Sequence, residues 1–75
     1  MADERKIDEI EYLMMLGKKV RHFRKEKGFS QEKLALESET DASYVRKIER
    51  GLQNVTILSL RNIAIALDVD VKEFL

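Results

Sequence analysis

The chain contains no cysteine, no proline and no tryptophan, and only three glycines among its 75 residues. Without cysteine it can form neither disulfides nor thiolate metal centres, and the reducing cytoplasm is the expected setting. Without proline, and with abundant Leu, Ile, Glu, Lys and Arg, little interrupts helix formation, so an all-α chain is expected. No apolar run approaches the roughly 20 residues that span a bilayer, and the acidic start is unlike a signal peptide, so no membrane partner is expected. His22 is the single histidine, with no cluster of further ligands around it, which implies no metal site. Nor is there a nucleophile–base pair or a phosphate-binding glycine loop. An enzyme is therefore the weakest class, and no cofactor or small-molecule ligand is implied.

A chain of this length is one small domain with a marginal core, the kind that gains stability by self-association. Its charges balance at 14 bases and 14 acids, which at first argues against a nucleic-acid partner. The distribution answers part of that objection. Residues 1–16 carry a net charge of about −3, residues 17–50 about +4 and residues 51–75 about −1. The positive charge is concentrated on one segment.

That segment contains the pattern around which the chain is organised. Ser30 is placed to cap a short helix whose inner face is Leu34 and Ala35, the alanine small enough to let a second helix cross closely. Glu39-Thr40 form a turn, Asp41 caps the next helix, and Val45 and Ile48 (i, i+3) bury its inner side. Gly51 follows Arg50 where a helix end favours a left-handed residue. Ala42, Ser43, Arg46 and Lys47 are left facing away from the core. Two crossed helices, the second presenting small polar and basic side chains, form a helix-turn-helix over about residues 31–50.

Upstream, Ile7, Ile10 and Met14 share a stripe with Leu13 beside it, and acids crowd the first turns. Residues 1–15 thus read as an amphipathic helical extension. It is either a separate helix or a continuation into the next, interrupted only by Gly17, and either a cap over the core or a partner surface. Leu16, Val20 and Phe23 mark the inner face of the following helix, which Gly28 ends. Lys18, Lys19, Arg21, Arg24, Lys25 and Lys27 are expected on its outer face, with Arg24 and Lys27 the better placed for phosphates. Downstream, Thr56 caps a helix whose core stripe is Ile57, Leu60, Ile63, Ala64 and Leu67. Leu58 and Ile65 lie outside that stripe. With Val69 and Leu75 they form a candidate dimer patch, unless the N-terminal helix covers them. A short capped helix at Asp70–Leu75 places Val71 and Phe74 on the core.

The run SQEKLALESETDASYVRKIERG resembles the helix-turn-helix of the Cro/C1 (XRE-type) repressor family, and TILSLRNIAIALDVDVKEFL resembles that family's fourth and fifth helices. The resemblance covers residues 16–75 and implies a five-helix, lambda-repressor-like DNA-binding domain, here with an added N-terminal helix or helix extension. Glu39 stands where the family usually has a turn glycine, Ser38 where it has an apolar or alanine residue, and Ala42 where a long polar base-reader is common. The N-terminal addition also resembles the controller proteins of restriction–modification systems, compact members of the same family.

The resemblance implies a transcriptional regulator whose partner is a double-stranded DNA operator. It would bind a near-palindromic site as a homodimer, with the helix at about 41–50 in the major groove. Ala42, Ser43 and Arg46 are the candidate base readers. Arg46 suits guanine O6 and N7, and Ala42 can touch only a thymine methyl. Arg24, Lys27, Gln31, Tyr44, Lys47 and Asn54 are the candidate phosphate contacts. In the family a glutamine at the position of Gln31 commonly reaches a phosphate, and the pair Glu49-Arg50 ties the recognition helix to its neighbours. The competing reading is a protein-interaction module with the same fold, which would have no need of Arg46 and Lys47 on the exposed face.

Overall fold

The computed structural model describes residues 4–75, with side chains from residue 8 onward. It contains four α-helices: α1 (Glu4–Glu26), α2 (Gln31–Glu37), α3 (Ala42–Glu49) and α4 (Ile57–Leu67). A single 3-10 turn follows at Val71–Phe74. Two expectations change in detail. The extension and the first core helix are one continuous 23-residue helix, and Asp70–Leu75 closes as a 3-10 turn rather than as a fifth α-helix. Asp70 caps that turn by accepting from the Lys72 N–H. No helix among the described residues is long and apolar enough to cross a membrane.

Gly17 does not interrupt α1 because its role lies in packing. It is buried, and a Cβ there would stand 2.3 Å from the carbonyl oxygen of Ile48 and 2.9 Å from that of Glu49. The helix interior tolerates one glycine at a cost of about 1 kcal/mol. In exchange α1 lies directly on the last turn of α3. At the other side of the crossing, a Cβ on Gly51 would meet Met14 at 2.8 Å. The two glycines form the notch in which α1 and the end of α3 touch.

The caps read from the sequence are formed. Ser30, Asp41 and Thr56 accept from the N–H groups of Lys33, Tyr44 and Ser59. Each α-helix also ends through a left-handed residue: Gly28, Glu39, Gly51 and Asp68. At each end a 6→1 hydrogen bond closes the helix, as from the Leu52 N–H to the Lys47 carbonyl and from the Thr40 N–H to the Ala35 carbonyl. In the α2–α3 turn Glu39 holds φ 59° without being glycine. Ser38, fully buried, donates through its hydroxyl to the Leu34 carbonyl at 2.7 Å and shares a hydrogen bond with Thr40. A polar residue is thereby satisfied inside the turn.

The core is Leu16 and Val20 from α1, Leu34 and Ala35 from α2, Val45 and Ile48 from α3, Leu60, Ile63, Ala64 and Leu67 from α4, and Phe74. Phe23 meets Phe74 edge to face with ring centroids 5.7 Å apart. α1 packs on α3 and the 3-10 turn, while α2 packs on α3 and α4. Ile57 departs from the expected core stripe. As the first residue of α4 it precedes the turn that meets the core, and it is 63% exposed. Ile10 and Met14 are also exposed, so this part of α1 does not act as a lid. Ile7, the first member of the stripe, lies outside the residues whose side chains are described.

Candidate nucleic-acid interface

α2 and α3 form the helix-turn-helix, and the period of α3 decides which of its side chains are available. Val45 and Ile48 are buried, so Ser43, Arg46, Lys47 and Arg50 (i, i+3, i+4, i+7) are exposed together on the opposite side. None of the three cations forms an ion pair among the described residues. A hydroxyl, two guanidinium groups and an ammonium thus share one face of a short, rigid helix. That set can grip acceptors on base edges and on phosphates. Ala42 is half-buried against the core rather than fully outward. Its position in the first turn of α3 leaves a methyl there and no donor.

Tyr44 is half-buried, with its ring packed on the core cluster and its N–H bound to the Asp41 carboxylate at 2.8 Å. Lys27 is exposed in the turn after α1. Asn54 is exposed in the α3–α4 loop and lies beside Glu9, Tyr12 and Leu13 of α1. The N–H of Lys33 is capped, whereas those of Gln31 and Glu32 lie in the open first turn of α2.

Arg24 is a correction. Expected on the outer face as a phosphate contact, it is 9% exposed and engaged inside the molecule. Its Nε donates to Glu49 at 2.6 Å, its Nη2 to the other carboxylate oxygen at 3.0 Å, and its Nη1 to the Phe29 carbonyl at 2.8 Å. Glu49 also accepts from the Gln31 side-chain amide at 3.2 Å. The hydrogen bond to Glu49 holds the guanidinium pKa above its ordinary value, against the opposing effect of burial. One carboxylate at the end of α3 thereby joins the end of α1, the α1–α2 turn and the start of α2. The signal for this was present in the sequence. Leu16, Val20 and Arg24 are spaced i, i+4, i+8, which puts the arginine on the inner stripe of α1.

The expectation that Glu49 ties α3 to its neighbours agrees with this geometry. Arg50 differs: it is exposed and its side chain makes no hydrogen bond among the described residues, so it joins the basic face instead. The amide of Gln31 is held toward Glu49 at the first residue of α2, with a second N–H still available to an acceptor. His22 pairs with Glu26 at 3.1 Å, and no group among the described residues is placed to hold a metal ion.

Of the candidate dimer residues, Leu58, Ile65 and Leu75 are 67%, 62% and 63% exposed, so α1 does not cover them. Val69 differs, being half-buried against the core.

Residues 20–74 match the helix-turn-helix family. The control protein C.BamHI of Bacillus amyloliquefaciens is 41% identical over 63 residues, covering 83% of this chain and 78% of that protein. The HTH-type transcriptional regulator SlrR of Bacillus subtilis is 40% identical over 60 residues. That alignment covers 79% of this chain but only 40% of SlrR. Among solved structures, the restriction-modification controller protein C.AhdI from Aeromonas hydrophila superposes with a TM-score of 0.82 at 41% identity. It covers 84% of this chain and 96% of that one.

Proposed function

The chain belongs to the helix-turn-helix family of Cro/C1 type, and on that premise we propose that it is a sequence-specific regulator of transcription. It binds double-stranded DNA as a homodimer and lays α3 in the major groove. The observation that carries this reading is the exposed, ion-pair-free face of Ser43, Arg46, Lys47 and Arg50 on α3. Arg46 and Ser43 read base edges, with the methyl of Ala42 available to thymine. Lys47, Lys27, Gln31, Arg50, Tyr44 and Asn54 hold phosphates on the flanks and set the register.

A two-fold dimer reads a near-palindromic operator with half-sites about 34–36 Å apart. Similarity to C.BamHI and C.AhdI, both controller proteins by name, favours a controller role among regulators.

The test is selection from a pool of randomised duplexes at two salt concentrations, wild type beside Arg46→Ala. Enrichment of a two-fold symmetric site is expected, weakened by salt through counterion release and relaxed in sequence by the substitution. No enrichment at low salt by the folded protein would overturn the proposal.

A further inference from the structure

The outer side of α1 carries charge that the α3 face does not use. Gly17 lies against the carbonyls of Ile48 and Glu49, so α3 is on that side of the helix. Lys19, two residues on, is turned about 200° round the axis and faces away from α3. Met15, Lys18, Lys19 and His22 (i, i+3, i+4, i+7) enclose a groove of about 300 Å³ there, with Phe23 and Glu73 completing its walls. Four residues at that spacing form the hole into which a side chain of a facing helix inserts. Met15 is 45% exposed, and Lys18 and Lys19 form no ion pair among the described residues. Turned from α3, the groove stays open when DNA occupies that helix.

The same face continues N-terminally as Asp8, Glu11 and Tyr12, all exposed. It is thus acidic on one side of Met15 and basic on the other. The helix dipole favours such a bias only in the terminal turns, whereas Glu11, Lys18 and Lys19 lie well inside a 23-residue helix. Nor can the two halves pair within one chain, since Glu11 and Lys18 are about 10 Å apart along the axis.

We propose that this face binds itself: the α1 helices of two copies pack antiparallel about a two-fold axis through Met15. The axis sets Met15 on Met15, Glu11 opposite Lys19, Tyr12 opposite Lys18 and Asp8 opposite His22, each of the last three occurring twice. Each hole receives Glu11 and Tyr12 of the second copy, a carboxylate and an aromatic ring among ammonium groups. A parallel pairing in register sets acids on acids and lysines on lysines, which is unfavourable. The surface complementary to the groove is the other half of the same helix, which makes a second copy its occupant. The contact uses neither α3 nor the exposed residues of α4, so it is separate from the dimer that reads the operator.

The paired faces are mostly polar and belong at the low end of interface size, below about 1,200 Å². Exposed ion pairs are worth little singly. The expected Kd is therefore on the order of 100 µM, tighter at low salt because the charges are less screened.

The test is self-association of the full chain by sedimentation at low and high salt, wild type beside Glu11→Lys, Lys19→Glu and the double reversal. Each single reversal breaks two symmetric pairs. It is expected to raise the Kd of the salt-sensitive step roughly 10-fold, and the double to return it to within about 3-fold of wild type. Lys19 is half-buried, so a second probe leaves it intact. In a chain without cysteine, Met15→Cys is expected to cross-link to itself on oxidation, whereas Arg21→Cys, about 120° round the helix, is not. No salt-sensitive association of wild type up to about 1 mM, a double reversal no better than the singles, or equal cross-linking at both positions would overturn the inference. So would a loss of DNA affinity in Lys19→Glu as steep as in Lys47→Ala, which would make the groove a phosphate contact. None of these outcomes bears on Arg46→Ala in the duplex selection, so the DNA-binding reading stands or falls separately.

Discussion

The two oxygens of Glu49 accept the Nε and Nη2 of Arg24 at 2.6 and 3.0 Å, across 25 residues of sequence, with both side chains largely buried. Glu49 sits in the last turn of α3, where the helix dipole disfavours an acid. Its stability there depends on the guanidinium. Removing one partner strands the other, so Glu49→Ala is expected to destabilise the fold by about 3–5 kcal/mol. Arg24→Met strands the Glu49 carboxylate in turn, with only the Gln31 amide left to it, and should cost a similar amount. Urea unfolding of the two variants checks both losses. A loss below about 1 kcal/mol in either would mean that the pair does not hold the three helices together.

The pair also predicts where pH has no effect. The folded pKa of Arg24 is raised, chiefly by the hydrogen bond to Glu49. A raised cation contributes stability that is fully present below the unfolded pKa and is lost as pH climbs through the folded one. For arginine both lie in the strongly alkaline range. The stability gap between wild type and Arg24→Met is therefore expected to stay constant from neutral to moderately alkaline pH. A gap that closes on that interval in urea titrations would contradict the assignment.

Three glycines separate into two kinds by what an added methyl would meet. Gly17→Ala drives a Cβ against the backbone carbonyls of Ile48 and Glu49, and backbone cannot step aside cheaply. Its expected cost is above about 3 kcal/mol, with α1 shifted off α3. Gly28→Ala meets nothing within 4 Å and suffers only from its φ of +76°, about 1 kcal/mol. Thermal melts of the pair distinguish a packing glycine from a turn glycine.

Glu39 and Asp68 hold φ of 59° and 58° at helix ends where the other two α-helices use glycine. Relief of the left-handed strain exceeds the added chain entropy of the unfolded state. Glu39→Gly and Asp68→Gly should each stabilise the fold by about 0.5–1 kcal/mol. Chemical denaturation measures this directly. For Glu39 an unchanged operator affinity would show that the turn's shape, not the carboxylate, is what the DNA-binding motif requires.

Lys47→Ala and Lys27→Ala are expected to weaken DNA binding evenly across sequences and to lower the salt slope by about one each, leaving stability unchanged. Fluorescence anisotropy over a salt series reads this. If either variant changed sequence preference instead, that lysine would be reading bases rather than phosphate.

Local chemistry accounts for most of what the sequence determined here. Ser30, Asp41, Thr56 and Asp70 cap the segments that follow them because capping is an interaction within a few residues. The periods of α2 and α3 expose Ser43, Arg46 and Lys47 because Leu34, Ala35, Val45 and Ile48 have to be buried. What tertiary structure decided depends on distance in space. Arg24 lies on the inner stripe of α1 by its spacing, but its pairing there needs the Glu49 that α3 delivers, and a glycine is required at position 17 because the crossing leaves no room for a Cβ. Ile57 is exposed because α4 meets the core only after its first turn. Leu58 and Ile65 stay uncovered because α1 runs over the end of α3 instead. A single chain's periodicity assigns each residue to a face, but which neighbour that face meets is set by how the helices cross.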